Sequence, residues 1–220
     1  MTLGVYQSLA QNMIHLNTEV YYGDFEIMGS KLNYKDISGS PYLNDELVLG
    51  QVIFKNGDST EYYLRYDMYA DEIEYLKNKS LYTVINMPAL DHIILNEQRI
   101  VYQTYYENGK QSSGFLLQLV ANKCSLYQKL RVKFEDAQPE QSMPFREATP
   151  TRFKSTPVKW YFSNDNSTIT QFNPDNAGLK QVSAKHYTEL KAFIKANKLK
   201  IKKEDDLVAL FEYYNMLLKQ

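Results

Sequence analysis

The chain is poor in the residues that most often announce a site. Its 220 residues hold one cysteine, three histidines, nine glycines and one tryptophan. A lone thiol excludes an internal disulfide. Cys124 sits in the alternating run Lys123–Cys124–Ser125–Leu126–Tyr127, where it reads as a small buried hydrophobe on a strand. As a nucleophile it would need a base and an oxyanion donor, and the sequence nominates neither. His15, His92 and His186 each lack a His or Cys neighbour at ligand spacing, so there is no zinc motif. The glycines fall mainly at turns. There is no Gly-rich phosphate loop, dinucleotide fingerprint or G-x-S-x-G elbow, and no cofactor is implied. Neither sign of charge prevails, with 25 basic against 26 acidic residues, which weighs against a dedicated nucleic-acid binder. No stretch has the apolar length of a bilayer-spanning helix. No repeat of fixed period and no low-complexity segment is present.

What is abundant is tyrosine, nineteen in all. Tyr suits strand faces that are half buried and half wet, because the ring packs while the hydroxyl reaches water. A stacking surface for sugars or a protein partner is the sharper reading. The length supports one core, or one core with a small appendage.

Short apolar runs separated by turn residues dominate the first three quarters of the sequence. Gln11–Gly23 alternates loosely, and 28–44 is turn-rich. Leu47–Lys55 and Glu61–Tyr66 flank Asn56–Gly57, a strong hairpin signal. Strands follow at Ile73–Leu76, Ser80–Ile85 and His92–Leu95. Arg99–Tyr106 and Gly114–Ala121 flank a second hairpin signal, Asn108–Gly109. Ser125–Phe134 alternates Leu126, Leu130, Val132 and Phe134 with Lys129, Arg131 and Lys133. The Pro-rich stretch 138–157 reads as an extended connector, and Val158–Phe162 with Thr168–Phe172 as a last hairpin. This rhythm predicts an antiparallel meander folded as a sandwich or open barrel.

From Ser183, a cap, the period becomes helical through Tyr187, Leu190, Phe193 and Ile194. After a basic link (Lys195, Lys198, Lys200, Lys202, Lys203), Glu204, Asp205 and Asp206 open a second helix with the acidic start that its dipole favours. The predicted class is mainly β with C-terminal helices (α+β). A β-domain spans 11–175, and a helical pair over 183–220 packs on it. Either residues 1–10 are the remnant of an export signal, ending in the small-residue pattern Ser8–Leu9–Ala10, or residues 1–16 form an ordinary mobile terminus or edge strand.

Two groups could carry binding. Arg65, Tyr66, Asp67, Tyr69 and Asp71 form a dense charged and aromatic segment with Glu72 and Glu74. Asp67 and Asp71 could hold calcium in an irregular loop, but the Gly-centred calcium hand is missing. The commoner arrangement is a solvated acidic loop pairing with Arg65. Trp160 with Tyr161 and Phe162, after Pro157, is the best exposed aromatic platform, although core packing claims most large aromatics.

The segment GSPYLND…GQV…LRYDMYADEIE (Gly39–Glu74) resembles an uncharacterised family of exported proteins from Bacteroidota. KCSLYQKLRVKFEDAQP (Lys123–Pro139) and ELKAFIKANKLKIKKEDDLVALFEYYN (Glu189–Asn215) are similar to that family's next strand and its C-terminal helical pair. Asp67 stands where the family pattern has Asn. The resemblance implies export to the periplasm or beyond, and no catalytic residue. It reads Gly39 and Pro41 as turn formers, Arg65 as partner of a nearby carboxylate, and Tyr66 and Tyr69 as sheet packing.

Three functions follow as expectations. The first is a non-catalytic cell-envelope or secreted module binding a protein or glycan partner. The second is a hydrolase acting on an envelope polymer through carboxylates such as Asp67 and Glu72. The third is a carrier of an apolar ligand in a β-cavity.

Overall fold

The computed structural model describes residues 25–27, 30–32, 34, 37–84, 87–142, 145–146, 148–165 and 167–219. The signal remnant read at 1–10 and the strand read over Gln11–Gly23 lie outside them. In chain order the strands are β1 (Phe25–Ile27), β2 (Ser30–Leu32), β3 (Val48–Phe54), β4 (Ser59–Asp67), β5 (Glu72–Lys77), β6 (Ser80–Thr83), β7 (Leu90–Leu95), β8 (Gln98–Glu107), β9 (Lys110–Val120), β10 (Cys124–Lys129), β11 (Val132–Glu135), β12 (Gln141–Ser142), β13 (Phe145–Arg146), β14 (Arg152–Ser155), β15 (Lys159–Asn164) and β16 (Ile169–Phe172). The helices α1 (Asn176–Val182), α2 (Tyr187–Asn197) and α3 (Glu204–Leu217) follow. The protein is mainly β with C-terminal helices. Contacts group the chain into two compact units, Met1–Asn96 with Val132–Ser155, and Glu97–Arg131 with Thr156–Gln220.

The first unit carries an antiparallel sheet in the order β7-β3-β4-β5-β6. Its hairpin at Asn56–Gly57 closes as expected, with Asn56 Oδ1 accepting from the Asp58 N–H at 3.0 Å. The segment Gly39–Leu43 lies along the end of β4, where Met68 N–H donates to the Pro41 carbonyl and Leu43 N–H to the Tyr66 carbonyl. Gly39 is required there: its φ is +81°, and a Cβ would stand 2.5 Å from the Phe153 carbonyl oxygen. The Pro-rich stretch is not a bare connector. β12 pairs with β13, and β14 pairs with β11 from Val132↔Ser155 to Glu135↔Arg152. Pro139, Pro150 and Pro157 fall between strands, where a missing N–H costs no ladder bond.

In the second unit β8-β9-β10-β15-β16 forms an antiparallel meander. The first and fifth strands of such a meander run the same way, so β16 closes on β8 as a parallel pair, Ile169↔Tyr105 and Thr170↔Tyr106. The barrel is therefore closed, not open. Val101, Tyr105, Leu116, Tyr127, Tyr161 and Ile169 fill it. Strand alternation sends Cys124, Leu126, Trp160 and Phe162 outward, onto Leu179, Leu190, Leu207 and Phe211 of the helices. Strand β10 is consequently buried on both faces. Lys129, which alternates with the apolar set of this strand, is 2% exposed and donates from Nζ to the Phe115 carbonyl at 2.7 Å.

Three details depart from the sequence reading. The strand read over Ser125–Phe134 is two strands, because β10 pairs with β15 whereas β11 pairs with β14. Helix α1 was not read at all; Asp175 caps it, accepting from Gly178 N–H at 2.9 Å. Ser183 ends α1 instead of opening α2, and its Oγ accepts from His186 N–H at 3.1 Å. The acidic start of α3 is as expected.

Candidate functional site

In the first unit Arg65 stands opposite Glu74, and Asp67 opposite Glu72, across β4 and β5. Residues two apart share a sheet face, so all four lie together. Arg65 donates from Nε and Nη2 to Glu74 Oε2 at 2.9 and 2.6 Å, and from Nη1 to the Asp45 carbonyl at 3.1 Å. Its guanidinium lies 3.5 Å from the centroid of the Tyr42 ring. Asp67 is 2% exposed, and its Oδ1 accepts from the N–H groups of Tyr69 and Ala70 at 2.8 and 2.9 Å. Burial outweighs these bonds and pushes the Asp67 carboxyl up to about 6. Burial also raises Glu72 and Glu74, against the Thr83 hydroxyl in one case and Arg65 in the other. Tyr34 packs edge-on against Tyr69 and Phe153, which meet each other at a tilt. Tyr66, on the opposite face by alternation and fully buried, donates its hydroxyl to Asp71 Oδ1 at 2.7 Å.

The segment read as a solvated acidic loop is thus buried at Arg65, Asp67 and Glu74, with Ala70 and Glu72 exposed at its turn. Its cover comes from Tyr34, Tyr42 and Phe153, which are distant in sequence. Among the described residues no group of three or more His, Cys, Asp and Glu side chains could hold a metal ion.

The second unit has a cleft of about 980 Å³. Pro157, Val158, Trp160, Phe172 and Pro174 give it apolar walls, and Gln128, Gln171, Asn173 and Thr156 line it with neutral polar groups. Its charges offset one another. Lys202 and Glu204 both line it, and Glu204 Oε2 accepts from Gln128 Nε2 at 2.6 Å. Arg131 and Lys159 both bind Glu107, which also accepts from the Tyr161 hydroxyl at 2.9 Å. Burial raises the Glu107 carboxyl, but Lys159, Tyr161 and Arg131 together hold it below its ordinary value. Arg131 Nη2 donates in addition to the Tyr105 hydroxyl at 2.9 Å.

A second cavity, of about 630 Å³, shares Gln171, Phe172, Asn173 and Asp175 with the first and continues to Tyr106, Asn108 and Gly109. It opens beyond the two paired positions of β8 and β16. The two cavities adjoin at these four residues. At their junction the side-chain amides of Gln171 and Asn173 make no hydrogen bond to another described residue.

The seven residues read from the sequence therefore fall into two places. Arg65, Tyr66, Asp67, Tyr69 and Asp71 gather in the first unit. Trp160 and Tyr161 belong to the second, where they point to opposite sides of β15. Trp160, 7% exposed, lines the cleft, and Tyr161 is wholly buried inside the barrel. Gln171, Asn173, Arg131 and Lys159 were missed as site residues. Their one signal is the polar ending of two strands beside prolines, Pro157–Val158–Lys159 and Phe172–Asn173–Pro174. Inside the barrel Val101, Tyr105, Leu116, Tyr127, Tyr161 and Ile169 pack on one another. No protein-family model matches the chain, and neither the curated proteins nor the solved structures give a significant match.

Proposed function

We propose that the protein is a non-catalytic binding module of the cell envelope, periplasmic or secreted, that takes an elongated partner, protein or glycan, in the trench of its second unit. The observation that carries this reading is that the two cavities adjoin, sharing Gln171, Phe172, Asn173 and Asp175 in their walls. A trench open to solvent, with apolar walls and a few converging polar groups, suits a chain segment better than a small enclosed ligand. The envelope location is supported by the resemblance of Gly39–Glu74, Lys123–Pro139 and Glu189–Asn215 to an exported family, and by Ser8–Leu9–Ala10. Asn173 is exposed at the junction, so Asn173→Arg should obstruct the trench without disturbing the core. Co-sedimentation of the full chain with insoluble envelope polymer tests this. Wild type should pellet and Asn173→Arg should stay in the supernatant; equal behaviour of the two would overturn the reading. Recovery of the native protein in the cytosolic fraction alone would overturn the location.

A second reading has one observation in its favour. Asp67 and Glu72 face one another across β4 and β5, and burial raises both, as an acid acting on a glycosidic bond requires of one partner. It is the weaker reading because Asp67 Oδ1 is already held by two backbone N–H groups. Release of reducing ends from envelope polysaccharide by wild type, abolished in Asp67→Asn, would favour it.

A further inference from the structure

We infer that the trench of the second unit is built for a neutral, hydroxyl-rich glycan chain. This rests on the binding reading above and narrows its ligand to one chemical class.

Charge comes first. Arg131, Lys159 and Lys202 would attract an anionic polymer if they were unopposed. Glu107 binds the first two, and Glu204 and Asp175 line the same walls as Lys202. No net field is left to favour a polyanion, whose recognition needs uncompensated cations.

The strand edge comes second. A peptide captured by strand addition needs a row of unengaged backbone groups. Along the trench the Gln171 carbonyl accepts from Gln181 Nε2 at 3.1 Å, and the Asn173 carbonyl accepts from Asp175 N–H at 2.8 Å. Two of the acceptors that an added strand would use are already engaged.

The side chains come third. Gln171 and Asn173 offer amides with no hydrogen bond to another described residue. An amide both donates and accepts, which matches a sugar hydroxyl that does the same. Asn108 extends this set along the second cavity. Tyr106, 37% exposed at that end, offers a ring for the apolar face of a sugar.

Trp160 is the chain's one tryptophan and lines the cleft, so its emission reports occupancy directly. The full chain is titrated with neutral gluco-, manno-, xylo- and N-acetylglucosamine oligosaccharides, with an oligogalacturonate, and with an extended uncharged peptide. Calorimetry serves as a second readout. At least one neutral oligosaccharide should give a saturable response that strengthens with chain length and does not change between low and high salt. The double substitution Gln171→Ala, Asn173→Ala should weaken it about tenfold, the loss of one or two neutral hydrogen bonds, with the unfolding midpoint retained. Binding of the oligogalacturonate alone, fading with salt, or of the peptide alone would overturn the glycan assignment and leave the trench reading standing. Silence with every probe, together with unaltered pelleting of Asn173→Arg, would bring down both.

Discussion

Asn215 of α3 holds Cys124 of β10 by both of its backbone groups. Its Oδ1 accepts from the Cys124 N–H and its Nδ2 donates to the Cys124 carbonyl, each at 2.8 Å, and Nδ2 also donates to the Phe211 carbonyl. Asn215 is 2% exposed and Cys124 is fully buried, so truncation leaves two backbone groups without water or partner. Asn215→Ala should cost about 2–4 kcal/mol, read as a lowered urea midpoint with the slope retained. A loss within experimental error would show that α3 is held by its apolar stripe alone. The same burial pushes the Cys124 thiol up to about 12, so thiol reagents should label it only once the chain unfolds.

Gly178 should tolerate no side chain. A Cβ would stand 1.8 Å from the Asn173 carbonyl oxygen, which cannot retreat without moving the wall of the trench. Gly178→Ala should lower stability by about 2 kcal/mol or more, as overpacking does, and should weaken ligand binding as well. Thermal melts and the Trp160 titration check the two effects separately.

Asp67 gives a pH dependence whose sign is fixed. Its carboxyl sits near 6 in the folded chain and near about 4 when unfolded. Between these values the native state binds more protons than the unfolded state, so this group's contribution is largest below about pH 4 and is lost as pH rises past about 6. Asp67→Asn keeps the oxygen that accepts from Tyr69 and Ala70 and removes the charge. The variant should gain on wild type by up to about 3 kcal/mol between about pH 4 and 7, measured by denaturant unfolding at each pH. Parallel curves would show that Asp67 is not desolvated.

Glu107 acts in the opposite direction. Its carboxyl is held low by Lys159, Tyr161 and Arg131 against its own burial, so its stabilisation is present at neutral pH and disappears as pH falls through the acidic range. Lys159 and Arg131 are each about a third exposed, and water screens part of the interaction. Glu107→Ala should therefore cost about 1–2 kcal/mol at neutral pH, with the penalty shrinking in acid.

Much of the fold is legible because its signals are local. Asn108–Gly109, with φ of +50° and +75°, is the positive-φ pair that a two-residue hairpin demands. The stripes of α2 and α3 repeat at helical spacing. Where the reading stops, the deciding contact is remote. The alternation of Ser125–Phe134 runs on through Leu130–Arg131, and only the change of partner from β15 to β14 reveals the break. Helix α1 hides behind Asn173–Pro174–Asp175–Asn176, which reads as a turn, and behind a glycine that is there for space. The acidity of Asp67 is plain in the sequence, but its burial depends on rings from Tyr34 to Phe153. Trp160 was visible as an aromatic, whereas Gln171 and Asn173 are ordinary polar residues until the parting of β8 and β16 makes them a junction.

Hydrogen exchange of the full chain, with and without insoluble envelope polymer, tests the central claim most directly. Binding in the trench predicts added protection at 156–160 and 171–175, with 63–74 unchanged. Protection confined to 63–74, around Arg65 and Asp67, would contradict it and move the site to the first unit.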